Sequence, residues 1–376
     1  MQSIMKRLPS IACVALLAAC SANGVGGTPA NLQLSPPGGG ITGTVQSPPG
    51  EGWQFPYQPN PFIVPICASD PCNPQLDPNS PSEVTQIFNG KFSMGQIQEA
   101  EPGTNGQGQD DTDPVYYATQ SDPTYNVTCS LYGGCQFLSG VSIHIPNGAH
   151  ASIDSDHHAT VIELWTGTEY DFWEFNDNGT GKGTTNPVNG GGALSVGFSG
   201  LCTTTSFQNH GHCVGSANEA GIPLQPGYLD PREIVAGKIA HTFYVGTRCP
   251  SHEFFWPARQ SGGSCPSGPA EGERIWLDLS DAAIDALPDH AWAKTLLHQM
   301  HDYGFMVTDS AGASPWVLEG LDNATFTIVG QPPGWNGFFT EVINQGDGSK
   351  LGWGDNASHL PIPTAGITES NIHVIE

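Results

Sequence analysis

The chain of 376 residues carries 36 Asp and Glu against 11 Lys and Arg, a formal net charge of −25. Nucleic-acid binding needs clustered basic side chains that neutralise phosphates, so this balance excludes a nucleic-acid partner and disfavours a polyanionic glycan. A neutral substrate or a bound cation fits the composition better.

The first residues have the pattern of an export signal. Lys6 and Arg7 precede an apolar run of nine residues, which is too short to span a bilayer as a helix. The run ends in Leu17-Ala18-Ala19-Cys20, which resembles a lipobox. We predict that residues 1–19 are a lipoprotein signal peptide and that Cys20 is lipidated. The alternative is a plain signal peptide with an incidental cysteine.

These features predict a location outside the cytoplasm, at the outer membrane or the cell surface. The lipid would be the protein's one link to the membrane. Residues 20–52 are rich in Gly, Pro, Ser, Asn and Thr and cannot bury enough surface to fold, so we predict a flexible tether. Residues 53–376 are predicted to form a single domain.

The eight remaining cysteines, with Cys13 and Cys20 set aside, fall into close pairs. An exported protein meets an oxidising compartment, so four local disulfides are predicted: Cys67–Cys72, Cys129–Cys135, Cys202–Cys213 and Cys249–Cys265. A zinc site at Cys202, His210, His212 and Cys213 is the rival interpretation, although the spacing matches no standard zinc pattern.

Frequent Gly and Pro indicate many short strands joined by turns. The predicted strands are Gly140–Ile145, Ala159–Leu164, Tyr170–Phe175, Ala193–Gly197, Lys238–Val245, Arg274–Leu279, Phe305–Asp309, Trp316–Glu319 and Thr325–Val329. Helical spacing predicts one clear helix over Asp289–Tyr303 and a weaker turn over Asp281–Leu287. The predicted fold class is therefore all-β, a jelly-roll-like β-sandwich with one helix in the C-terminal half and long disulfide-pinned loops over residues 53–125.

Two neighbouring segments carry candidate chemistry. If a strand begins by Asp156, then Asp156 and His158 share one face, where they can bind a metal or act as an acid/base pair. In the next segment Glu169, Asp171 and Trp173 alternate with apolar residues. Carboxyls beside an aromatic ring are typical of a glycan cleft. The structural alternative is that these side chains belong to a strand entry and to the core.

His241 interrupts an otherwise apolar segment, where a histidine is more often a satisfied core residue than a ligand. His241 becomes a candidate site residue if it lies close to Asp156 and His158 in the folded chain. No serine-hydrolase elbow and no phosphate-binding glycine loop occur in the sequence. No cofactor is predicted outright, and calcium or another divalent cation is left open.

The ordered motifs over about residues 140–345 resemble a family of secreted bacterial proteins for which no activity is established. The motifs are Asp156-x-His158, Tyr170-Asp171, Ala220-Gly221-Ile222-Pro223, Glu233-Ile234, Gly237-x-Ile239-x-His241 and Tyr303-Gly304-x-x-Val307-x-Asp309. The resemblance implies that Asp156, His158, His241 and Asp309 are the functional polar residues. This chain departs from the family pattern at Asp171, Arg232 and Ser310-Ala311-Gly312.

These patterns lead to one functional hypothesis and two rivals. The hypothesis is a surface-tethered carbohydrate-active enzyme that hydrolyses a neutral polysaccharide, with Asp156, His158, Asp171, His241 and Asp309 as catalytic residues. Trp173 and Glu233 are the predicted substrate-binding residues. The rivals are a non-catalytic glycan-binding or adhesion lipoprotein, and a metal-dependent hydrolase or lyase that uses histidine.

Overall fold

A computed structural model describes residues 46–69, 71–100, 112–129, 136–138, 141–152, 156–175, 192–311, 315–348, 352–354 and 357–375. Within these ranges the protein is mostly β, as predicted. The strands are β1 Gln96–Ala100, β2 Thr112–Asp113, β3 Val115–Tyr117, β4 Thr124–Cys129, β5 Ser142–His144, β6 Ala159–Glu163, β7 Thr168–Trp173, β8 Gly192–Val196, β9 Phe198–Thr203, β10 Val214–Gly215, β11 Phe243–Thr247, β12 Arg274–Leu277, β13 Phe305–Ser310, β14 Trp316–Leu318, β15 Gly320–Leu321, β16 Gly352–Gly354, β17 Ala357–Pro361 and β18 Ile372–Ile375.

The helices of the described residues are mostly short. They are α1 Ser80–Phe88, α2 Pro231–Ala236, α3 Asp281–Asp285, α4 Ala291–Asp302, α5 Ala324–Thr327 and α6 Gly334–Asn344. The helix α4 confirms the clear prediction, and α3 confirms the weaker one. None of these helices is long and apolar enough to cross a membrane.

Two five-stranded sheets dominate the topology. The first has the order β10-β9-β7-β6-β3 and the second the order β14-β11-β13-β12-β18. Both are mixed, because β3 pairs parallel with β6 and β11 pairs parallel with β13 while their other neighbours run antiparallel. The smaller sheets are β5-β4-β8, β1-β17-β16 and the pair β15-β2.

The strand β7 is central in the first sheet and is buried on both faces. Tyr170 and Phe172 pack into one apolar cluster with residues of β4, β6 and β8. On the opposite face, Glu169 and Asp171 are almost fully buried, and Trp173 packs against a second cluster around Phe55 and Tyr57. Two buried faces explain why this strand is so rich in aromatic residues.

The second sheet carries the largest apolar cluster, which includes Trp292, Trp316 and Trp335. Helix α4 presents Trp292, Leu296 and Met300 to it, at the spacing that one helical face requires. The cluster also takes in the inner face of α6, which is built the same way.

The prediction of a single helix in the C-terminal half is wrong, because α2, α3, α4, α5 and α6 all lie there. Residues Thr325–Val329, predicted as a strand, begin within α5. Asp322 Oδ1 accepts the backbone N–H of Ala324, which favours a turn at this point over extended backbone. The strand predicted over Lys238–Val245 begins only at Phe243.

Residues 53–125, predicted as long loops, contain α1 and the strands β1 to β3. Pro81 at the start of α1 has the fixed φ of a first helical turn, and Asn89 ends the helix in the left-handed region at φ 47°. Val84, Ile87 and Phe88 form its buried face.

Three of the four predicted disulfides are confirmed: Cys67–Cys72, Cys202–Cys213 and Cys249–Cys265. The bond between Cys202 and Cys213 removes the thiolates of the rival zinc site. The prediction for Cys129–Cys135 lies outside the described residues, since Cys135 is not among them. Each bridge is expected to stabilise the fold by about 2–4 kcal/mol.

Candidate functional site

A cleft of about 530 Å³ opens where several segments of the two large sheets meet. It is lined by Asp156, His158, Trp173, Phe198, Gly215, Ser216, Ala217, Asn218, Glu219, Arg259, Gln260, Ser261, Gly262 and Asp309. A smaller recess of about 70 Å³ shares Asp156, His158, Asn218 and Asp309 with the cleft and extends to Asp113 and Glu319. Four predicted site residues (Asp156, His158, Trp173 and Asp309) therefore come together.

The pairing of Asp156 with His158 arises differently from the prediction. The strand β6 begins at Ala159, so neither residue lies on a strand and their shared face does not follow from alternation. They belong to a loop in which His157 takes a positive φ of 52° and the Ser152 hydroxyl accepts the backbone N–H of His158. This loop brings both side chains to the cleft.

His158 is held between two partners. Its Nε2 lies 2.9 Å from the carbonyl oxygen of Ala217, and its Nδ1 lies 3.6 Å from a carboxylate oxygen of Asp113. A carbonyl oxygen only accepts, so Nε2 carries a hydrogen and Nδ1 faces Asp113. The same Asp113 oxygen accepts the Tyr228 hydroxyl at 2.6 Å. His158 is thus oriented as a group that can hold or pass a proton at Nδ1.

Asp309 lies near the end of β13, where the backbone N–H of Ser310 donates to it at 2.7 Å. Burial and then the neighbouring Glu219 carboxylate raise the pKa of Asp309 to about 7. A carboxyl group with this pKa is partly protonated at neutral pH, which is the condition that a general acid requires.

Glu219 and Glu271, which sequence reasoning missed, extend this group of acids. Glu219 accepts the Ser310 hydroxyl at 3.1 Å, and burial raises its pKa. Glu271 is fully buried behind it, and burial followed by the charge of Glu219 raises the pKa of Glu271 to about 9. Glu219 directly precedes the Ala220-Gly221-Ile222-Pro223 motif, and this neighbourhood is the signal that could have identified it.

Glu319 and Asp113 line the recess and were also missed. Glu319 accepts the Thr308 hydroxyl at 3.0 Å. Burial, then the charges of Asp309 and Asp113, raise the pKa of Glu319 well above its ordinary value. The recess is therefore a strongly acidic extension of the cleft.

An aromatic wall formed by Trp173 and Phe198 lies on the cleft. Their ring centroids are 5.5 Å apart and their planes are tilted by 33°. Gly197 permits this placement, because a Cβ on it would lie 2.6 Å from the Trp173 ring. Both rings are partly exposed and so can offer a face to a ligand.

Polar donors complete the lining. Asn218 is 8% exposed, and its Oδ1 accepts the backbone N–H groups of Gly221 and Ile222. Its Nδ2 has no acceptor among the described residues. Arg259 is anchored by the carbonyl oxygens of Cys213 and Gly215, and it is the one Lys or Arg among the described residues that line the cleft.

Asp171, predicted as catalytic, does not line the cleft. It is 1% exposed and accepts the Thr160 hydroxyl at 2.8 Å. Its neighbour Glu169 accepts the Tyr57 hydroxyl at 2.6 Å and the Gln225 backbone N–H at 2.9 Å. Burial raises the pKa of Glu169 to about 7, and burial together with Glu169 raises the pKa of Asp171 well above its ordinary value. The two carboxyls form a buried acid pair inside the first sheet.

His241 and Glu233, predicted as catalytic and substrate-binding, do not line the cleft either. They form a buried pair, with His241 Nε2 at 2.9 Å from the Glu233 carboxylate and Nδ1 at 2.9 Å from the Thr242 carbonyl oxygen. Burial lowers the pKa of His241, but the facing Glu233 outweighs burial and the net shift is upward. This pair joins the first turn of α2 to the segment just before β11, away from the cleft.

Two groups of metal-ligating side chains converge closely among the described residues. They are Asp281, His301 and Asp302, and Asp77, Glu83 and Glu273. Neither group includes a residue of the cleft.

The chain matches no protein-family model, no curated protein and no solved structure.

Proposed function

We propose that this chain is an exported, surface-tethered carbohydrate-active enzyme that hydrolyses a neutral polysaccharide in the cleft. The observation that carries the proposal is the aromatic wall of Trp173 and Phe198 on a cleft whose carboxyls have raised pKa values. Aromatic faces can stack on sugar rings, and glycoside hydrolysis needs one protonated and one ionised carboxyl at the bond.

The roles of the residues follow from their environments. Asp309, with a pKa of about 7, donates a proton to the leaving oxygen. Asp156 supplies the second carboxylate. His158 accepts or releases a proton at Nδ1, the nitrogen that faces Asp113 in the recess. Glu219 holds Asp309 partly protonated through its charge. Asn218 donates to a substrate oxygen. In this proposal Asp309, and not Asp171, is the catalytic carboxyl paired with Asp156.

The scarcity of basic side chains supports a neutral substrate. Arg259 has two of its hydrogen bonds satisfied by backbone carbonyls, and the rest of the titratable lining is acidic apart from His158. A uronate polymer would meet repulsion in such a cleft. The scaffold proposed for the site is the β-sandwich of the sequence prediction, with the two five-stranded sheets as its layers.

The test is a screen of the purified full-length chain against neutral polysaccharides, measuring new reducing ends. We expect Trp173→Ala to weaken substrate binding roughly tenfold or more, about 1.4 kcal/mol, because it removes the stacking surface. Trp165→Ala is the matched control, since Trp165 is 36% exposed in the turn between β6 and β7 and does not line the cleft.

The same screen separates the enzyme from a glycan-binding lipoprotein. Binding that depends on Trp173 without any new reducing ends would favour the binding module. Neither binding nor cleavage of any neutral glycan would contradict both.

The anchor is tested separately. Cys20→Ala should abolish lipidation and leave the chain either unprocessed or released from the membrane fraction, because the lipid is its proposed attachment. Cys13→Ala changes the other cysteine of the signal and should leave fractionation and mature mass unchanged. A Cys20→Ala variant with both the membrane fractionation and the mature mass of the parent would overturn the anchor.

A further inference from the structure

A second concave surface lies away from the cleft, between helices α3 and α4 and the loop that holds the Cys67–Cys72 disulfide. This groove has a volume of about 630 Å³ and shares no lining residue with the cleft. Its polar lining includes Asp281, Asp285, His298, His301 and Asp302.

We propose that Asp281, His301 and Asp302 bind a zinc ion in this groove. One potential ligand atom from each residue lies within 4.8 Å of the other two. Zinc ligands at about 2.0–2.2 Å from the metal lie roughly 3.4 Å from one another, so a small inward movement of the side chains completes the site. The two carboxylates offset the charge of the ion.

The orientation of His301 suits this role. The side chain is 3% exposed, and its Nδ1 lies 3.1 Å from the Leu277 carbonyl oxygen. Because a carbonyl oxygen only accepts, Nδ1 carries a hydrogen, and Nε2 is the ring nitrogen that would coordinate a metal. A backbone carbonyl that fixes the tautomer in this way is the usual outer partner of a metal-bound histidine.

Asp281 has an outer partner too. His298 Nδ1 lies 2.8 Å from its Oδ1, and the other nitrogen of His298 lies 3.1 Å from Asp285. One oxygen of Asp281 is therefore oriented by His298, as outer partners orient the carboxylates of a metal site.

The donor set selects the ion. One imidazole and two carboxylates suit Zn²⁺, whereas Ca²⁺ takes six to eight oxygen ligands and is not favoured by an imidazole. Three protein ligands leave a further coordination position for water on the open side of the groove.

The bound ion would join α3 to the end of α4. The disulfide loop is already attached there, since the backbone N–H groups of Ile66 and Cys67 donate to the Asp302 carbonyl oxygen at 2.6 and 3.2 Å. Metal binding would thus stabilise the groove and raise the melting temperature of the full chain.

The experiment is zinc binding by the full-length chain, stripped with a chelator and titrated with Zn²⁺ alone. We expect stoichiometric uptake, a rise in melting temperature and, with Co²⁺ in place of zinc, visible absorption typical of four- or five-coordinate sites. Asp302→Asn and His301→Gln should each weaken zinc binding at least tenfold. Circular dichroism of the metal-free variants checks that they fold.

Asp278→Asn and His373→Gln are the matched controls, because these residues form a His–Asp pair 3.7 Å apart that does not line the groove. Their zinc affinity should equal that of the parent. No stoichiometric uptake by the parent, equal loss in the control variants, or preference for Ca²⁺ over Zn²⁺ would each overturn the proposal. Since the groove is separate from the cleft, none of these outcomes depends on glycan cleavage.

Discussion

Asp309→Asn is expected to lower kcat for polysaccharide hydrolysis by roughly 10²–10⁴-fold, because an amide cannot donate the proton that the leaving oxygen requires. The parent should show the corresponding pH dependence. Burial and Glu219 raise the pKa of Asp309 to about 7, so the protonated fraction, and with it kcat, should fall as the pH rises through about 7. Reducing-end release measured from pH 5 to pH 9 gives both quantities.

The free energy of unfolding of Asp309→Asn distinguishes a catalytic role of Asp309 from a structural one. Asparagine removes the unfavourable ionised carboxyl beside Glu219, so the free energy of unfolding at pH 8 should stay equal or rise. Asp278→Asn is the control and should leave kcat unchanged, because this exposed carboxyl does not line the cleft. Activity of Asp309→Asn within threefold of the parent would remove Asp309 from the mechanism.

The second large effect is on the pH dependence of the free energy of unfolding. The buried acids Glu169, with a pKa of about 7, and Glu271, with a pKa of about 9, bind protons more tightly in the folded state than in the unfolded chain, near 4.5. Their stabilising contribution is complete below pH 4.5 and is lost as the pH rises through the folded values. Glu169 alone should therefore make the protein on the order of 3 kcal/mol less stable at pH 8 than at pH 4.5.

Chemical denaturation at pH 5, 6.5, 8 and 9 measures how the free energy of unfolding changes with pH. Glu169→Gln can still accept the Tyr57 hydroxyl with its amide oxygen but does not ionise, so it should flatten the curve between pH 5 and pH 7. Glu369→Gln is the control, because Glu369 is partly exposed and outside the core. A parent whose unfolding free energy rises from pH 5 to pH 8 would contradict the raised pKa values of these acids.

Local patterns predicted the local features of the fold. The helical spacing of Trp292, Leu296 and Met300 led to α4, and sequence proximity of the cysteines led to three disulfides. The helix α6 was missed although Trp335, Phe338, Phe339 and Val342 have the spacing of one helical face. Gly334 and Gly337 obscured it, since glycine ordinarily disfavours a helix interior.

The candidate site was only partly predictable, because its residues come from segments far apart in the chain. Asp156 and Asp309 were identified through motifs, and they do meet in the cleft. Glu271 has no local signal, and its raised pKa comes from burial against Glu219, which only the folded chain creates. His241, in contrast, is conspicuous in the sequence because it interrupts an apolar segment. In the fold it does not reach the cleft but binds Glu233, only eight positions away in the chain.

The segment around Phe55 to Val64 has a consequence for how fast the chain folds. The backbone N–H of Phe55 donates to Gln225, and Arg274 donates to the carbonyls of Pro61 and Val64, so these contacts span 170 to 213 residues. Folding rates fall as the mean sequence separation of contacts grows, because long loops must close before the contacts stabilise anything. This topology therefore belongs among the slow folders. A chain that folds slowly remains unfolded for longer after its synthesis, and passage through a translocation channel would require this if the protein is exported as proposed.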